Sequence, residues 1–182
     1  MTETVKIQGP PPIGVGPVSY GTVMVAFEEN TFSETALATA FKLASHRRAD
    51  VRVMITLVVP NHLDLRADLG DAEGIAGQII EAARQRAGRG QRVRGTVVKV
   101  RSGEAGHRIV AEAIESRAEA IVMAMPAARP PGKLLNRTLE VVLGKRPCRV
   151  VIDSQPAHQF ERTASRRRAI AVEAEAAPAL HG

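Results

Sequence analysis

The sequence predicts an α/β protein in which a five-stranded parallel sheet carries helices on both faces, a three-layer sandwich. Short continuous apolar runs alternate along the chain with segments of helical periodicity, as expected for strands buried on both sides. Aromatic residues make up only 3% of the chain and Trp is absent, so the core depends on Ala, Val, Ile and Leu. A chain of 182 residues suffices for one such domain.

Three segments are expected along the chain. Residues 1–19 are rich in Pro and Gly and lack periodicity, which predicts a flexible leader. Residues 20–154 contain all the regular patterns and form the predicted domain. Residues 155–182 carry the basic cluster Arg166–Arg168 and an Ala/Glu stretch, which predicts a solvated tail. A contact for an acidic partner or a membrane surface is the alternative for this tail.

The first half of the domain begins with the strand TVMVAF at 22–27, and Ser33 is the predicted N-cap of the helix that follows. The second strand, VRVMITLVV at 51–59, ends at Pro60. A second helix is predicted over about 72–87. The buried stripe of the first helix is Ala36, Leu37, Ala40, Phe41 and Ala44. The inward residues of the second helix are Ile75, Ile79, Ala82 and Ala83.

The second half repeats this alternation, with strands at 93–100, 120–125 and 149–152. A third helix begins near Glu104, and a fourth helix lies between the last two strands. Strands joined by helices of this length make right-handed crossovers and therefore run parallel. The buried stripe of the third helix is Ile109, Val110, Ala113 and Ile114. That of the fourth helix is Leu135, Leu139, Val142 and Leu143.

Composition and motifs argue against several functions. The formal net charge of +6 is not accompanied by stacking aromatics or a nucleic-acid-binding motif, so no nucleic-acid partner is predicted. The histidines lack metal-ligand spacing, and no nucleophile elbow, dehydrogenase fingerprint or Walker loop is present. The sequence therefore predicts neither a metal site nor an enzyme. A single cysteine, Cys148, in an apolar context predicts a core residue and a reducing compartment. Without a signal sequence or a long apolar run, a cytoplasmic location is expected.

Ligands of a parallel sheet bind beyond the carboxyl ends of its strands, at the point where the strand order reverses. The segment MPAARPPGKLLNRT, which follows the fourth strand, is therefore of interest. Its prolines, Pro126, Pro130 and Pro131, lack the backbone N–H groups that a phosphate cradle uses. Its cations, Arg129, Lys133 and Arg137, favour side-chain clamps for an anion, or they are solvated surface charges.

Several pieces of the chain, in order, resemble the universal stress protein family over about Gly21–Asp153. VMVAFEENTFSETAL resembles the family's first strand, acidic turn and Ser-capped helix, and LVVP resembles the end of its second strand. RSGEAGHRIVAEAIESRAEAIVMA and RPCRVVI resemble later elements. The resemblance implies an adenine-nucleotide α-hydrolase-like, Rossmann-like fold and a regulatory domain that senses ATP or another adenine nucleotide. NRTLEVVLGKRPCRVVI further resembles the stress-protein domains appended to amino-acid permeases.

The family's nucleotide motif is altered in this chain. Nucleotide-binding members carry Gly, two residues, Gly, nine residues and then Gly-Ser or Gly-Thr. Here these positions fall on Ala124, Ala127, Arg137 and Thr138, although counting back from Cys148 shifts the last pair to Asn136-Arg137. Glu28 falls on the family's acidic position, or it is an exposed acid favoured by a helix dipole. The expected nucleotide site comprises Ala26, Glu28, Val58, Met123, Ala124, Ala127, Arg129, Arg137 and Thr138.

The resemblance also implies a homodimer paired through the last strand, Arg149–Ile152. An uncovered apolar edge strand favours such pairing on physical grounds. The alternative function is a nucleotide-free dimeric module that regulates a partner such as an amino-acid transporter.

Overall fold

The structure, a computed structural model, describes residues 19–28, 32–45, 48–125 and 135–154. Strands and helices alternate through these ranges, as predicted. The strands are β1 (Thr22–Glu28), β2 (Asp50–Val58), β3 (Arg92–Val100), β4 (Ala120–Ala124) and β5 (Arg149–Asp153). The helices are α1 (Glu34–Leu43), α2 (Asp71–Gln85), α3 (Ala105–Glu115) and α4 (Arg137–Lys145). The predicted tail and all but the last residue of the predicted leader lie outside the described residues.

The five strands form one parallel sheet of order β3-β2-β1-β4-β5. The chain moves outward from β1 to β3 and then returns to place β4 on the other side of β1. The strand order therefore reverses between β1 and β4. In the register of this central region, Ala26 of β1 lies between Met54 of β2 and Met123 of β4. The predicted fold class is confirmed.

The sheet has a separate apolar core on each face because successive side chains of a strand point to opposite sides. Val23, Val25 and Phe27 of β1 pack with buried residues of α1 and α2. Met24 and Ala26 pack with buried residues of α3 and α4 on the other face. Two helices thus cover each side. At the start of α1, Ser33 Oγ accepts from the N–H of Ala36 at 3.2 Å, so the predicted N-cap is confirmed.

The buried stripes of α2 and α3 differ from the prediction. Ile75 is 53% exposed, and α2 buries Ala76, Ile80 and Ala83 instead. The reason lies in β3, where a Cβ atom placed on Gly95 would be 2.1 Å from Cγ2 of Ile80. Because the glycine admits this close approach, Ile80 fixes the rotation of α2. Ala82 consequently lies on the exposed side of α2.

Ile114 of α3 was also wrongly predicted to be buried and is 63% exposed. Helix α3 packs on α4, β1 and β2 through a face that carries Ile109 and Ala113. Ile114 lies outside that face, on the last turn of the helix. Cys148 is half-buried against the same core, and its burial raises the pKa of the thiol. Among the described residues, no helix has the length and apolar character needed to cross a membrane.

Candidate functional site

The candidate site lies at the carboxyl edge of the sheet, where the strand order reverses between β1 and β4. Ala26 and Met123 are paired across these strands and are 3% and 4% exposed, so they form the floor of the site. Ala124 ends β4 opposite Asp153 and is half-buried. Val58 ends β2 and is 36% exposed, so it offers an apolar surface beside the floor.

Glu28 and Asn136 connect the end of β1 to the start of α4. The side chain of Asn136 caps α4, because its Oδ1 accepts from the N–H of Leu139 at 2.8 Å. The same side chain donates from Nδ2 to Oε1 of Glu28 at 3.0 Å. The carboxylate of Glu28 is thereby held near the positive end of the α4 dipole. Asn136 was predicted only as an alternative register position, although an Asn before an apolar periodic segment is a helix-start signal.

Arg137 and Thr138 are the first two residues of α4, and the structure separates their roles. The exposed guanidinium of Arg137 lies over Gly103, where a Cβ atom would be 3.4 Å from Nε. Gly103 has a φ of +84°, which suits glycine. The side chain of Arg137 makes no ion pair or hydrogen bond with any other residue in the described ranges, so its charge is open to a ligand there.

Thr138, in contrast, belongs to the contact between α3 and α4. It is 6% exposed, and its carbonyl oxygen would lie 3.0 Å from a Cβ atom on Gly106 of α3. The absence of a side chain at Gly106 allows the two helices to start side by side. Both helix N-termini consequently lie at the carboxyl edge.

A second connection joins the start of α1 to the end of β5. Oδ2 of Asp153 accepts from Thr35 Oγ1 at 2.5 Å and from Ser33 Oγ at 3.3 Å. Because α1 follows β1 and packs on β1, β4 and β5, this contact crosses the carboxyl end of β4. Thr35 and Asp153 were not predicted as site residues, and no local pattern identifies them, since about 120 positions separate the partners.

The loop between β2 and α2 is fixed by one cation near the end of β3 and one directly after it. Lys99 Nζ donates to the carbonyl oxygen of Ala67 and contacts Oε1 of Glu73, both at 2.6 Å. Arg101 donates to the carbonyl oxygens of Pro60 at 2.7 Å and of Leu63 at 2.9 Å. The bond from Lys99, together with the Leu69 N–H, lowers the pKa of Glu73. These two cations therefore hold the backbone beside Val58.

The described part of the edge is rich in carboxylates, which include Glu28, Glu104, Glu140 and Asp153. The side chain of Arg137, at the same edge, has no ion pair in the described ranges. A chain of several phosphates would meet repulsion here, whereas the sugar and base of a nucleoside would find hydrogen-bond acceptors and apolar surface. Within the same ranges, no group of three or more His, Cys, Asp or Glu side chains could hold a metal ion.

The predicted modified loop stays a prediction. Ala127 and Arg129, together with Lys133 and the three prolines, lie outside the described residues. The structure does describe a cavity of about 200 Å³, but it lies beside α2 and is lined by apolar residues that include Ile55, Leu57 and Ile75. These strand residues face the α1/α2 core, so the cavity is on the opposite face of the sheet from Ala26.

The topology and the site define the class of protein first. A parallel sheet of order β3-β2-β1-β4-β5, with helices on both faces and two helix N-termini at its reversal point, is the Rossmann-like, adenine-nucleotide α-hydrolase-like fold. The family model "Universal stress protein family" matches residues 19–153. The chain therefore belongs to the universal stress protein family.

Solved structures of this family share the fold. A universal stress protein from Archaeoglobus fulgidus is 25% identical with a TM-score of 0.55, covering 73% of this chain and 98% of its own. A universal stress protein in complex with cAMP is 18% identical, with a TM-score of 0.55 and coverages of 76% and 99%. An Archaeoglobus fulgidus complex with dAMP is 22% identical, with a TM-score of 0.53 and coverages of 73% and 97%. No curated protein matches the chain.

Proposed function

We propose that this domain is a cytoplasmic regulatory module that binds an adenine nucleotide at the β1/β4 reversal point and does not turn it over. One observation carries the proposal: Arg137 begins α4 directly after the Asn136 that bonds Glu28, and its guanidinium, unengaged within the described ranges, lies against Gly103. A cation and a helix N-terminus together attract a phosphate. The cAMP and dAMP complexes of two proteins with the same fold support the choice of adenine.

Each part of the nucleotide has a partner of suitable chemistry. The exposed side chain of Val58 offers the adenine ring an apolar contact at the end of β2. The carboxylate of Glu28 accepts hydrogen bonds from ribose hydroxyls, as a carboxylate can accept several at once. Arg137 binds one phosphate group through two parallel N–H donors.

The same chemistry limits the number of phosphates. If the prolines remove two backbone donors to a charged phosphate, at about 1.5–3 kcal/mol each, affinity falls about 10²- to 10⁴-fold. The carboxylates of Glu28 and Asp153 add repulsion at the described edge. The domain therefore prefers a nucleoside monophosphate, and ATP binds no more tightly than AMP.

The proposal is tested by denaturing the purified protein and identifying any released nucleotide, followed by thermal shifts with adenosine, AMP, cAMP and ATP. A ligand at 100 times its Kd stabilises by about 2.7 kcal/mol, a rise in Tm of about 5–10 °C for a chain of this size. Arg137→Ala should remove most of the rise in Tm caused by AMP and leave the rise caused by adenosine unchanged. Arg108→Ala, which removes an exposed arginine further along α3, is the matched control. No shift with any of the four ligands contradicts the proposal.

A second candidate is the nucleotide-free dimeric module, which regulates a partner such as an amino-acid transporter. The observation in its favour is that β5 ends the sheet while Val150, Val151 and Ile152 remain only partly buried. The resemblance of NRTLEVVLGKRPCRVVI to permease-appended domains suggests the transporter. A dimer would have twice the 19.5 kDa mass in light scattering and would protect the amides of β5 from hydrogen exchange more than those of the other edge, β3. A monomeric mass at all concentrations contradicts it.

A further inference from the structure

The amino edge of the sheet, opposite the candidate nucleotide site, carries an exposed arginine in every loop. All strands are parallel, so the four loops that lead from a helix into β2, β3, β4 and β5 lie at this one edge. They contain, in chain order, Arg48, Arg89, Arg117 and Arg146, and all four residues are exposed. We call this set the arginine edge.

Three of these arginines occupy backbone conformations that favour glycine. The described residues other than glycine that have positive φ are Arg48 at 70°, Arg117 at 52° and Arg146 at 42°. Arg117 and Arg146 lie within two residues of the ends of α3 and α4, where glycine usually adopts the left-handed conformation at lower cost. Arg48 lies five positions beyond the end of α1 and two before β2. In the remaining loop, Gly90 has the positive φ and Arg89 precedes it. The presence of arginine at three strained positions indicates that these side chains serve a purpose other than folding.

The charges of these three side chains are not neutralised within the described ranges. No ion pair there includes Arg48, Arg117 or Arg146. Arg94 of β3, in contrast, forms an ion pair with Asp50 at 3.3 Å. An arginine near this edge is therefore paired where a carboxylate lies within reach. The loops also contact one another, because a Cβ atom on Gly90 would lie 3.7 Å from the backbone nitrogen of Arg48.

The surroundings indicate what kind of partner fits. Ile114, 63% exposed, lies beside the edge, and its carbonyl oxygen accepts from the N–H of Arg117 at 3.1 Å. Arginine next to exposed apolar surface is typical of protein–protein interfaces. Glu115 and Glu119 are exposed among the arginines, and the described parts of the four loops hold no aromatic residue. A nucleic acid or an anionic bilayer would favour uninterrupted positive charge, and a bilayer would favour apolar loop tips that insert.

We propose that the arginine edge, together with Ile114, is a docking surface for an acidic protein segment that also carries apolar side chains. The guanidinium groups pair with its carboxylates, and Ile114 contacts an apolar side chain. Because the surface lies at the edge opposite the nucleotide site, a ligand at one edge leaves the other accessible.

The test uses the full chain and fluorescence anisotropy with a labelled peptide of about 20 residues, glutamate with a leucine at every fourth position. The variant Arg48→Gly, Arg117→Gly, Arg146→Gly relieves backbone strain and removes charge. Its Tm should rise by a few degrees while peptide affinity falls at least about tenfold. A higher Tm together with a lower peptide affinity would show that the arginines act in binding and not in folding. A Tm below that of the wild type would overturn the inference that their backbones are strained.

Two matched controls complete the experiment. The first is the variant Arg48→Lys, Arg117→Lys, Arg146→Lys. It keeps the positive charges and the unfavourable positive φ of a residue with a Cβ atom, and it should retain most of the affinity for the peptide. The second is the variant Arg66→Gln, Arg84→Gln, Arg108→Gln. It removes the same amount of charge outside the arginine edge, and it should change the affinity for the peptide less than about twofold. The proposal is overturned if the glycine variant binds like the wild type, if the peptide does not bind, or if oligo-dT or phosphatidylserine vesicles bind more tightly than the peptide.

Discussion

Substitution of Gly106 by alanine should disturb both the packing of α3 on α4 and the candidate site. A Cβ atom at this position would lie 2.8 Å from Cβ of Val141 and 3.0 Å from the carbonyl oxygen of Thr138. Neither neighbour is the far end of a flexible side chain, so the two helices must move apart. Since Thr138 is in the first turn of α4, that movement shifts Asn136 and Arg137 as well.

The change in the free energy of unfolding caused by Gly106→Ala is the sum of two opposing effects. Overpacking costs about 1–3 kcal/mol, and replacing a helical glycine by alanine returns at most about 1 kcal/mol. Gly106→Ala should therefore lower the free energy of unfolding by about 1–2 kcal/mol, a decrease in Tm of about 3–6 °C. Thermal unfolding followed by circular dichroism measures this change.

Gly77→Ala is the matched control, because this glycine is also helical but a Cβ atom there has no other atom within 4 Å. It should stabilise the protein by about 0.5–1 kcal/mol. If both variants unfold at a higher temperature than the wild type, the close contact between α3 and α4 is not as described. The described positions of Asn136 and Arg137 would then also be wrong.

Three further predictions concern single side chains. Asn136→Ala removes the cap of α4 and the donor to Glu28, and should cost about 1–3 kcal/mol in urea unfolding, whereas Asn136→Ser retains a cap and should cost less; equal losses would exclude the cap as the cause. The lowered pKa of Glu73 stabilises the fold at neutral pH, and this contribution is lost as the pH falls below the usual value of 4.5. Glu73→Gln should therefore lower the urea midpoint at about pH 7 and lower it by less at about pH 3, and the opposite order would contradict the assignment. Burial raises the pKa of Cys148, so iodoacetamide should alkylate it more slowly than free cysteine at the same pH, and an equal rate would refute its burial.

The sheet was predictable because its signals are local. A continuous apolar run such as TVMVAF predicts a strand that is buried on both faces. Ser33 directly precedes α1, which is the position of an N-cap. The crossovers between strands then fix the parallel direction. Periodicity also gave the buried face of α1, where Ala36, Leu37 and Ala40 are fully buried.

The rotation of α2 and the contacts of the site depend on residues far apart in the chain. Ile80 is buried in place of Ile75 because Gly95 of β3 admits it, and no pattern within α2 contains that information. The bond between Glu28 and Asn136 joins residues separated by 108 positions. Glu28 and Arg137 could therefore be predicted as site residues from the sequence, but the residues that contact them could not.

The most direct measurement of nucleotide binding is a titration of the ¹⁵N-labelled protein with AMP, followed through the chemical shifts of backbone amides. Binding at the candidate site should shift mainly the amides of Glu28, Val58, Gly103 and Arg137. The shifts at Gly103 and at position 137 should be lost in the Arg137→Ala variant. Unchanged spectra at millimolar AMP, or shifts confined to the loops at the amino edge, would contradict binding at this site.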